Sequence, residues 1–333
     1  VFSISSVLKS IFYFFTKYNK KESWKINLIL AYYFGIINVI SPKVLITFDG
    51  MPKYFFSLLT TLSNDINYIG LSLSPLRDRN FGDMDPVLIE DKSMANYYVW
   101  GENCKEGLVR IGQIAENIHV VGSMMAGIHK GANPISQNSK NYDICLLSTI
   151  FSMYDKDVEE NENILLNFLS DYLSLNPNLS ICIAHRPHSN GNGGTILDGI
   201  KREIEFYSSR LNGLNFEFIK SDVSRLSSYK AVSSSKILIA QNSSLALEAM
   251  GWGHKVLFCQ ANKLQFWTPD DLIYSVLDYD QSRFNDLLDE LFNTPISQYR
   301  KKIKDNVTKY CYFDNKNPPH IVIQNKLNDL LLE

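Results

Sequence analysis

A chain of 333 residues is too long for one ordinary core and fits two domains of about 150 residues each. An apolar share of 45% with a charged share of 20% is that of a soluble globular protein, and with 33 basic against 35 acidic residues neither nucleic acid nor an acidic surface is implied as a bulk partner. Five cysteines without a C-x-x-C pair point to a reducing, cytoplasmic compartment and away from structural zinc.

The first forty residues hold two apolar runs. Val1 to Lys21 is rich in aromatic residues (Phe12, Tyr13, Phe14, Phe15) and places its lysines after the apolar part, the reverse of a signal peptide. Trp24 to Ile40 is interrupted by Lys25, Asn27 and Asn38. Neither run reaches the roughly 20 uninterrupted apolar residues of a bilayer span. Two helices packed on the first domain are predicted, with peripheral contact to a membrane surface through residues 1–40 as the alternative use of their aromatic side chains.

From Pro42 onward strands and helices alternate. Lys43 to Phe48 reads as a buried parallel strand ending in Asp49-Gly50, a helix follows around Tyr54 to Leu62, and Asn67 to Ser72 is a second strand. Ser74 to Asp85 has no apolar period, and so long a polar loop inside a compact domain is characteristic of function. Tyr97 to Trp100 is a strand, Glu102 to Gln113 a helix and Ile118 to Gly122 a strand. Residues 1–126 form the first domain on this reading, and residues 127–141, which collect Gly, Pro, Ser and Asn, form a linker.

Residues 142–333 make the second domain. Tyr142 to Leu147 is a strand, a helix runs from about Val158 to Leu175, and the strand Leu179 to Ala184 leads straight into His185-Arg186-Pro187-His188. A glycine-rich loop, a helix through about Arg210, the strand Asn215 to Ile219 and a short helix over Ser224 to Ala231 follow. Lys236 to Gln260 is a complete strand-helix-strand unit: strand Lys236 to Ala240, polar turn, helix from Ser243 or Ser244, a break at Gly251 and Gly253, and strand Lys255 to Cys259. Helices near Gln281 to Phe292, Ser297 to Val307 and His320 to Leu331 close the chain. Two successive βα arrays predict an α/β protein of two Rossmann-like domains with the ligand in the cleft between them.

The polar residues that follow strands fall where such sheets bind ligands. Gln241, Asn242, Ser243 and Ser244 lie at the start of a helix whose first N–H groups suit a phosphate; equally, Asn242 and Ser243 are ordinary helix caps. His185 and Arg186 can pair with a phosphate or carboxylate, or form a solvated cluster. Glu248 can accept hydrogen bonds from a ribose or be an exposed helix acid. Asp49 is placed to deprotonate an acceptor hydroxyl, although Asp-Gly is also a common turn. Arg77 and Arg79 in the long loop are candidates for holding an acceptor, and Asp155 is a further cleft-facing carboxylate. G-x-G-x-x-G, Walker and G-x-S-x-G motifs do not occur, which excludes the usual dinucleotide oxidoreductases, P-loop enzymes and α/β-hydrolases as first choices.

Residues 97–123, YYVWGENCKEGLVRIGQIAENIHVVGS, resemble the end of the first domain in bacterial surface-polysaccharide glycosyltransferases of the GT-B fold, and NSSLALEAMGWGHKVLF resembles their donor-binding helix. HRPHS is similar to the His-Pro motif of transferases that use CMP-activated ulosonic acids, the Kdo and sialic acid group, with an Arg inserted between His and Pro. Ser243-Ser244 resembles their paired serines, and Phe48-Asp49-Gly50 their acidic motif, with one acidic residue before the glycine.

The resemblance implies metal-independent transfer of a sugar, Kdo or a related ulosonic acid, from a CMP-linked donor. The acceptor would be a glycan or lipid-linked glycan in surface polysaccharide synthesis, at the cytoplasmic side of the inner membrane. The donor is the only cofactor-like molecule implied. Ser243 and Ser244 would meet phosphate, His185 and Arg186 the leaving group and Glu248 the ribose. Asp49 would be the base of an inverting reaction, or Asp155 the carboxylate near the donor in a retaining one. The alternatives are another nucleotide-linked donor enzyme of this fold, a CDP-polyol phosphotransferase or UDP-sugar epimerase, and a non-catalytic two-domain sugar-binding protein.

Overall fold

The computed structural model describes residues 4–17, 24–48, 66–72, 95–110, 113–132, 141–148, 156–185, 196–220, 226–241, 243–260, 271–278 and 280–332. They form two compact units, one of residues 1–125 with 316–333 and one of residues 126–315.

In the first unit α1 (Ile4–Lys17) and α2 (Trp24–Ile40) pack against each other as a helical hairpin, burying Asn27, Ala31 and Ile37. The second helix stops where Ser41 takes a left-handed φ of 47°, its N–H closes on the Ile37 carbonyl at 2.8 Å, and Pro42 blocks continuation. Strands β1 (Val44–Phe48), β2 (Asn67–Leu71), β3 (Ala95–Val99) and β4 (Ile118–Val120) form a parallel sheet in the order β1-β2-β3-β4. Each lies within two residues of its predicted position. Helix α3 (Glu102–Arg110) starts directly after Gly101, whose carbonyl accepts the N–H groups of Cys104 and Lys105 at 3.1 and 3.3 Å. The Trp100 indole beside it donates to the Ser72 carbonyl at 2.9 Å and so ties the ends of β2 and β3 together.

Helix α4 (Met124–Ala132) begins in the expected first domain and runs into the stretch expected as a linker, residues 127–141. Both glycines of that stretch, Gly127 and Gly131, fall within this helix, the Asn, Ser and Pro residues of the stretch follow the helix, and residues 133–140 lie outside the described structure.

The second unit is built on six parallel strands in the order β10-β9-β8-β5-β6-β7. The chain enters at β5 (Tyr142–Leu147), steps outward through α5 (Lys156–Leu175), β6 (Ile181–Ala184), α6 (Ile196–Arg210) and β7 (Phe216–Ile219), then returns through α7 (Ser227–Ser233) to β8 (Ser235–Ala240) on the other side of β5. It continues through α8 (Ser244–Gly251) to β9 (Lys255–Cys259) and the two-residue β10 (Ser275–Val276). Strand order therefore reverses between β5 and β8, the place where open α/β sheets leave a crevice for ligands. Ile144, Cys145 and Leu146 on β5 and Ile237, Leu238 and Ile239 on β8 are wholly buried, as strands covered on both faces must be.

Helices α9 (Gln281–Asn293), α10 (Ile296–Lys302) and α11 (Lys304–Tyr310) complete this unit. The single helix predicted over Ser297 to Val307 is two helices that meet at Ile303. The last helix, α12 (Pro319–Leu332), groups with the first unit rather than the second: Ile323 and Leu330 pack into the core of Ile69, Leu71, Tyr98 and Val121. An apolar stripe announces a helix but not which sheet takes it. Among the described residues no helix is long and apolar enough to cross a membrane.

Candidate active site

Three adjacent strands of the second sheet, β8, β5 and β6, are followed by Gln241, Ser148 and His185. Neighbouring strands stand about 4.8 Å apart, so these side chains form a row about 10 Å long along the carboxyl edge, across the switch between β5 and β8. All three are buried.

Two helix carboxylates answer them. Glu203 on α6 accepts the Ser148 hydroxyl, and its Oε2 lies 2.7 Å from His185 Nε2. Glu162 on α5 accepts the Tyr207 hydroxyl from α6, while its Oε2 receives the Gln241 amide at 2.7 Å. The helix pattern explains how acids reach this depth. Glu162 stands three, four and seven residues before Leu165, Leu166 and Leu169, on the face that packs on the sheet, and Glu203 and Tyr207 share a face at four-residue spacing. A carboxylate is tolerated there only when hydrogen-bonded or paired, and each of these has at least two partners. Burial, reinforced by Glu162 and Glu203, pushes the Tyr207 phenol well above its ordinary pKa, so it remains a donor. Burial and Glu162 likewise push the Cys259 thiol up.

His185 is thus no solvated cluster: its ring is 0% exposed and lies 5.8 Å, centroid to centroid, from Phe218. Its backbone is also fixed, the N–H donating to Ile219 O and the carbonyl accepting Ser228 Oγ, each at 3.0 Å. The residue that follows it is Arg186, outside the described residues.

At the end of β8, Ser243 precedes α8 in an extended conformation (φ −139°, ψ 127°) and makes no side-chain capping hydrogen bond; its carbonyl accepts the Ala246 N–H at 3.1 Å. Ser244, the first helical residue, is exposed. The capping reading therefore fails for Ser243. Glu248, one turn on, is not an exposed acid either. It is 3% exposed and receives the Tyr229 hydroxyl from α7 at 2.5 Å. Burial and the Glu248 carboxylate hold the Tyr229 phenol far above its usual range. Tyr229 in turn packs against His129 of α4, ring centroids 4.7 Å apart and planes tilted by 43°, and His129 reaches Ser233 Oγ at 3.1 Å and lies 5.6 Å from the Trp252 ring. This aromatic group joins α4 and α7 to α8 through Glu248 and through Trp252 at the helix's C-terminal end.

Asp49, Arg77, Arg79, Asp155, Arg186 and Asn242 lie outside the described residues. Of the expected site residues, His185, Gln241, Ser243, Ser244 and Glu248 are therefore described, all in the second unit on β6, β8 and α8. Sequence reading missed Ser148, Glu162, Glu203 and Tyr207, although an acid in the apolar stripe of a helix was a legible signal. Among the described residues no group of three or more His, Cys, Asp and Glu side chains is arranged to hold a metal ion.

Residues 72–328 match the model of a family described as "putative O-antigen biosynthesis protein". No curated protein matches the chain. Among solved structures it is similar to the UDP-GlcNAc 2-epimerase of Neisseria meningitidis bound to UDP-GlcNAc, at 13% identity and a TM-score of 0.56 over 95% of this chain and 83% of that one. The UDP-GlcNAc 2-epimerase of Methanocaldococcus jannaschii gives 10% identity and a TM-score of 0.57 over 93% and 82%. The α,α-trehalose 6-phosphate synthase of Burkholderia multivorans gives 11% and 0.52 over 92% and 74%. At such identities the likeness is one of fold: α/β, two Rossmann-like parallel sheets of the GT-B type.

Proposed function

Because the chain belongs to the O-antigen biosynthesis family matched over residues 72–328, we propose that it is a nucleotide-sugar-dependent glycosyltransferase that extends a bacterial surface glycan. The observation that carries this reading is the row of Gln241, Ser148 and His185 at the β5/β8 switch, held from below by Glu162 and Glu203. A rigid polar floor at that edge, beside a helix start whose Ser243 side chain is not spent on capping, suits a nucleotide phosphate.

In the proposed complex the first N–H groups of α8, with Ser243 and Ser244, stabilise the departing phosphate, aided by Asn242. His185 and Arg186 counter the charge of the leaving group, His185 from its buried place against Glu203. Glu248 takes the ribose hydroxyls. One of its oxygens is held by Tyr229, and a carboxylate can accept further hydrogen bonds. Asp49 serves as base toward the acceptor hydroxyl, Arg77 and Arg79 hold the glycan, and Asp155 is the candidate carboxylate should configuration be retained. The similarity of HRPHS and Ser243-Ser244 to CMP-ulosonic acid transferase motifs makes a CMP-linked Kdo-type sugar the proposed donor.

The test is a thermal-shift screen with CMP, CDP, UDP, UMP and GDP, each with and without magnesium, followed by product analysis with the matching nucleotide sugar. A ligand at 100 times its dissociation constant adds about 2.7 kcal/mol, visible as a shift of several degrees. Stabilisation by CMP and formation of a glycoside are expected. Stabilisation by UDP with an epimerised sugar as product would replace the transferase by an epimerase, and indifference to every nucleotide would remove the donor site.

A further inference from the structure

We propose that the α1/α2 hairpin docks the protein on the surface of a bilayer containing anionic phospholipid. Eleven of the twenty-one large apolar side chains left exposed among the described residues lie on these two helices. Exposed apolar residues scattered singly are ordinary, but a concentration of this kind marks an interaction surface. Leu8, Ile11 and Phe12 on α1 and Trp24, Leu28 and Ile40 on α2 are each about half exposed or more, between 48% and 66%. Asn27, Ala31 and Ile37 of α2 are buried, whereas these six side chains are left open to solvent.

Charge selects the occupant. Residues 1–40 contain five lysines and one acidic residue, Glu22, a net charge of +4, whereas the other 293 residues carry −6. A basic, apolar element on an otherwise acidic chain is complementary to anionic headgroups, each lysine near such a surface contributing about 1 kcal/mol. A second copy of the same hairpin would instead bring like charges together. The polar trim also suits an interface: Lys25 Nζ lies 5.9 Å from the Trp24 ring centroid at the head of α2, and Tyr32 and Tyr33 are both exposed beyond it. Indole, phenol and ammonium groups are the ones that settle at headgroup depth.

Length decides between lying and crossing. With 14 and 17 residues the helices are about 21 and 25 Å long, short of the roughly 30 Å hydrocarbon core. The apolar side chains would enter the acyl boundary with the helix axes along the surface. This inference is independent of the donor-site reading, which concerns the other unit.

The experiment is co-sedimentation of the full chain with phosphatidylcholine vesicles, with and without 30 mol% phosphatidylglycerol, at low and high salt. Selective binding to the anionic vesicles, weakened by salt, is expected. The double variant Leu8→Glu/Phe12→Glu should reduce it by about tenfold or more, and Lys25→Glu should reduce only the phosphatidylglycerol-dependent part. Both variants change exposed positions and should keep the wild-type melting temperature and nucleotide response, so that loss of binding cannot be a loss of fold. Absence of vesicle binding by the wild type would overturn the proposal, as would binding unchanged in the double variant. So would a dimer in light scattering that Phe12→Glu dissolves, which would make a second copy the occupant.

Discussion

Glu203 and His185 face each other across 2.7 Å with both side chains closed to solvent. The same carboxylate accepts the Ser148 hydroxyl, so one acid fixes the ends of both β5 and β6. Removing the carboxylate takes the acceptor from two buried polar side chains at once, Ser148 and His185, at about 1–3 kcal/mol for each group left unsatisfied. Glu203→Ala is expected to lower stability by about that amount in a urea titration. Glu203→Gln keeps the shape and an acceptor for Ser148, and its expected loss is nearer 1–2 kcal/mol. If Glu203→Ala unfolds at the wild-type urea midpoint, the carboxylate does not hold this edge.

The second acid makes a coupled prediction. Glu162 is served by Tyr207 on one oxygen and Gln241 on the other, so the two donors act on one charge. Tyr207→Phe and Gln241→Leu should each cost about 1–3 kcal/mol, the penalty of leaving part of a buried acceptor unsatisfied. Their effects should not add, with a coupling of about 0.5–3 kcal/mol in a double-mutant cycle. Strict additivity would mean that the two hydrogen bonds do not share the carboxylate.

The fold was readable where residues speak locally. β5 and β9 have their predicted ends because apolar runs between polar turns leave little choice of boundary, and α2 covers its predicted span because Pro42 follows it. What failed was non-local. Nothing within residues 319–332 says that Ile323 and Leu330 join a core 250 residues earlier in the chain, around Ile69 and Leu71. The site divides in the same way. His185, Gln241 and the two serines lie at the strand ends and helix start where they were expected, because such boundaries are visible in sequence. Glu162 and Glu203 were passed over, because the signal of their place in an apolar stripe is outweighed by how ordinarily a helix acid is solvated. Glu248 was misjudged as an exposed alternative for the same reason.

At the opposite edge of the sheet, Asp143 of β5 accepts the Ser180 N–H and hydroxyl, each at 2.8 Å, and pairs with Lys236 of β8 at 2.7 Å. Burial alone would raise its carboxyl, but the hydrogen bonds from Lys236 and Ser180 outweigh it and hold Asp143 below the ordinary carboxylate range. An acid depressed on folding contributes stability that is present above its unfolded pKa of about 3.9 and lost as pH falls through the lower folded value. The acid limb of the stability profile below about pH 4 should therefore be shallower in Asp143→Asn. The loss at neutral pH should be modest, because the Lys236 side chain is more than half exposed and screened. Urea midpoints measured from about pH 3 to 7 test this, and identical acid limbs would show that the depressed carboxyl is not linked to folding.

The far end of α8 gives the last test, and it bears on the donor site. Gly253 has a φ of 82°, its N–H donates to Met250 O and the His254 N–H to Ala249 O, both at 2.9 Å, which is the left-handed Schellman closure of the helix. Gly253→Ala pays the left-handed penalty of about 1–2 kcal/mol and must also displace Arg300, whose Nε would lie 2.5 Å from the new Cβ. Gly251→Ala meets a harder obstacle, the backbone carbonyl oxygen of Cys311 at 2.6 Å. A main-chain atom cannot swing aside as an arginine can, so α8 itself must shift, at about 1–3 kcal/mol. Because Ser243 and Ser244 sit at the other end of this helix, eight residues long, Gly251→Ala should weaken the thermal response to the stabilising nucleotide more than Gly253→Ala does. Equal responses in two folded variants would mean that the phosphate-facing turn is fixed by the sheet and the Tyr229 hydrogen bond rather than by the placement of α8.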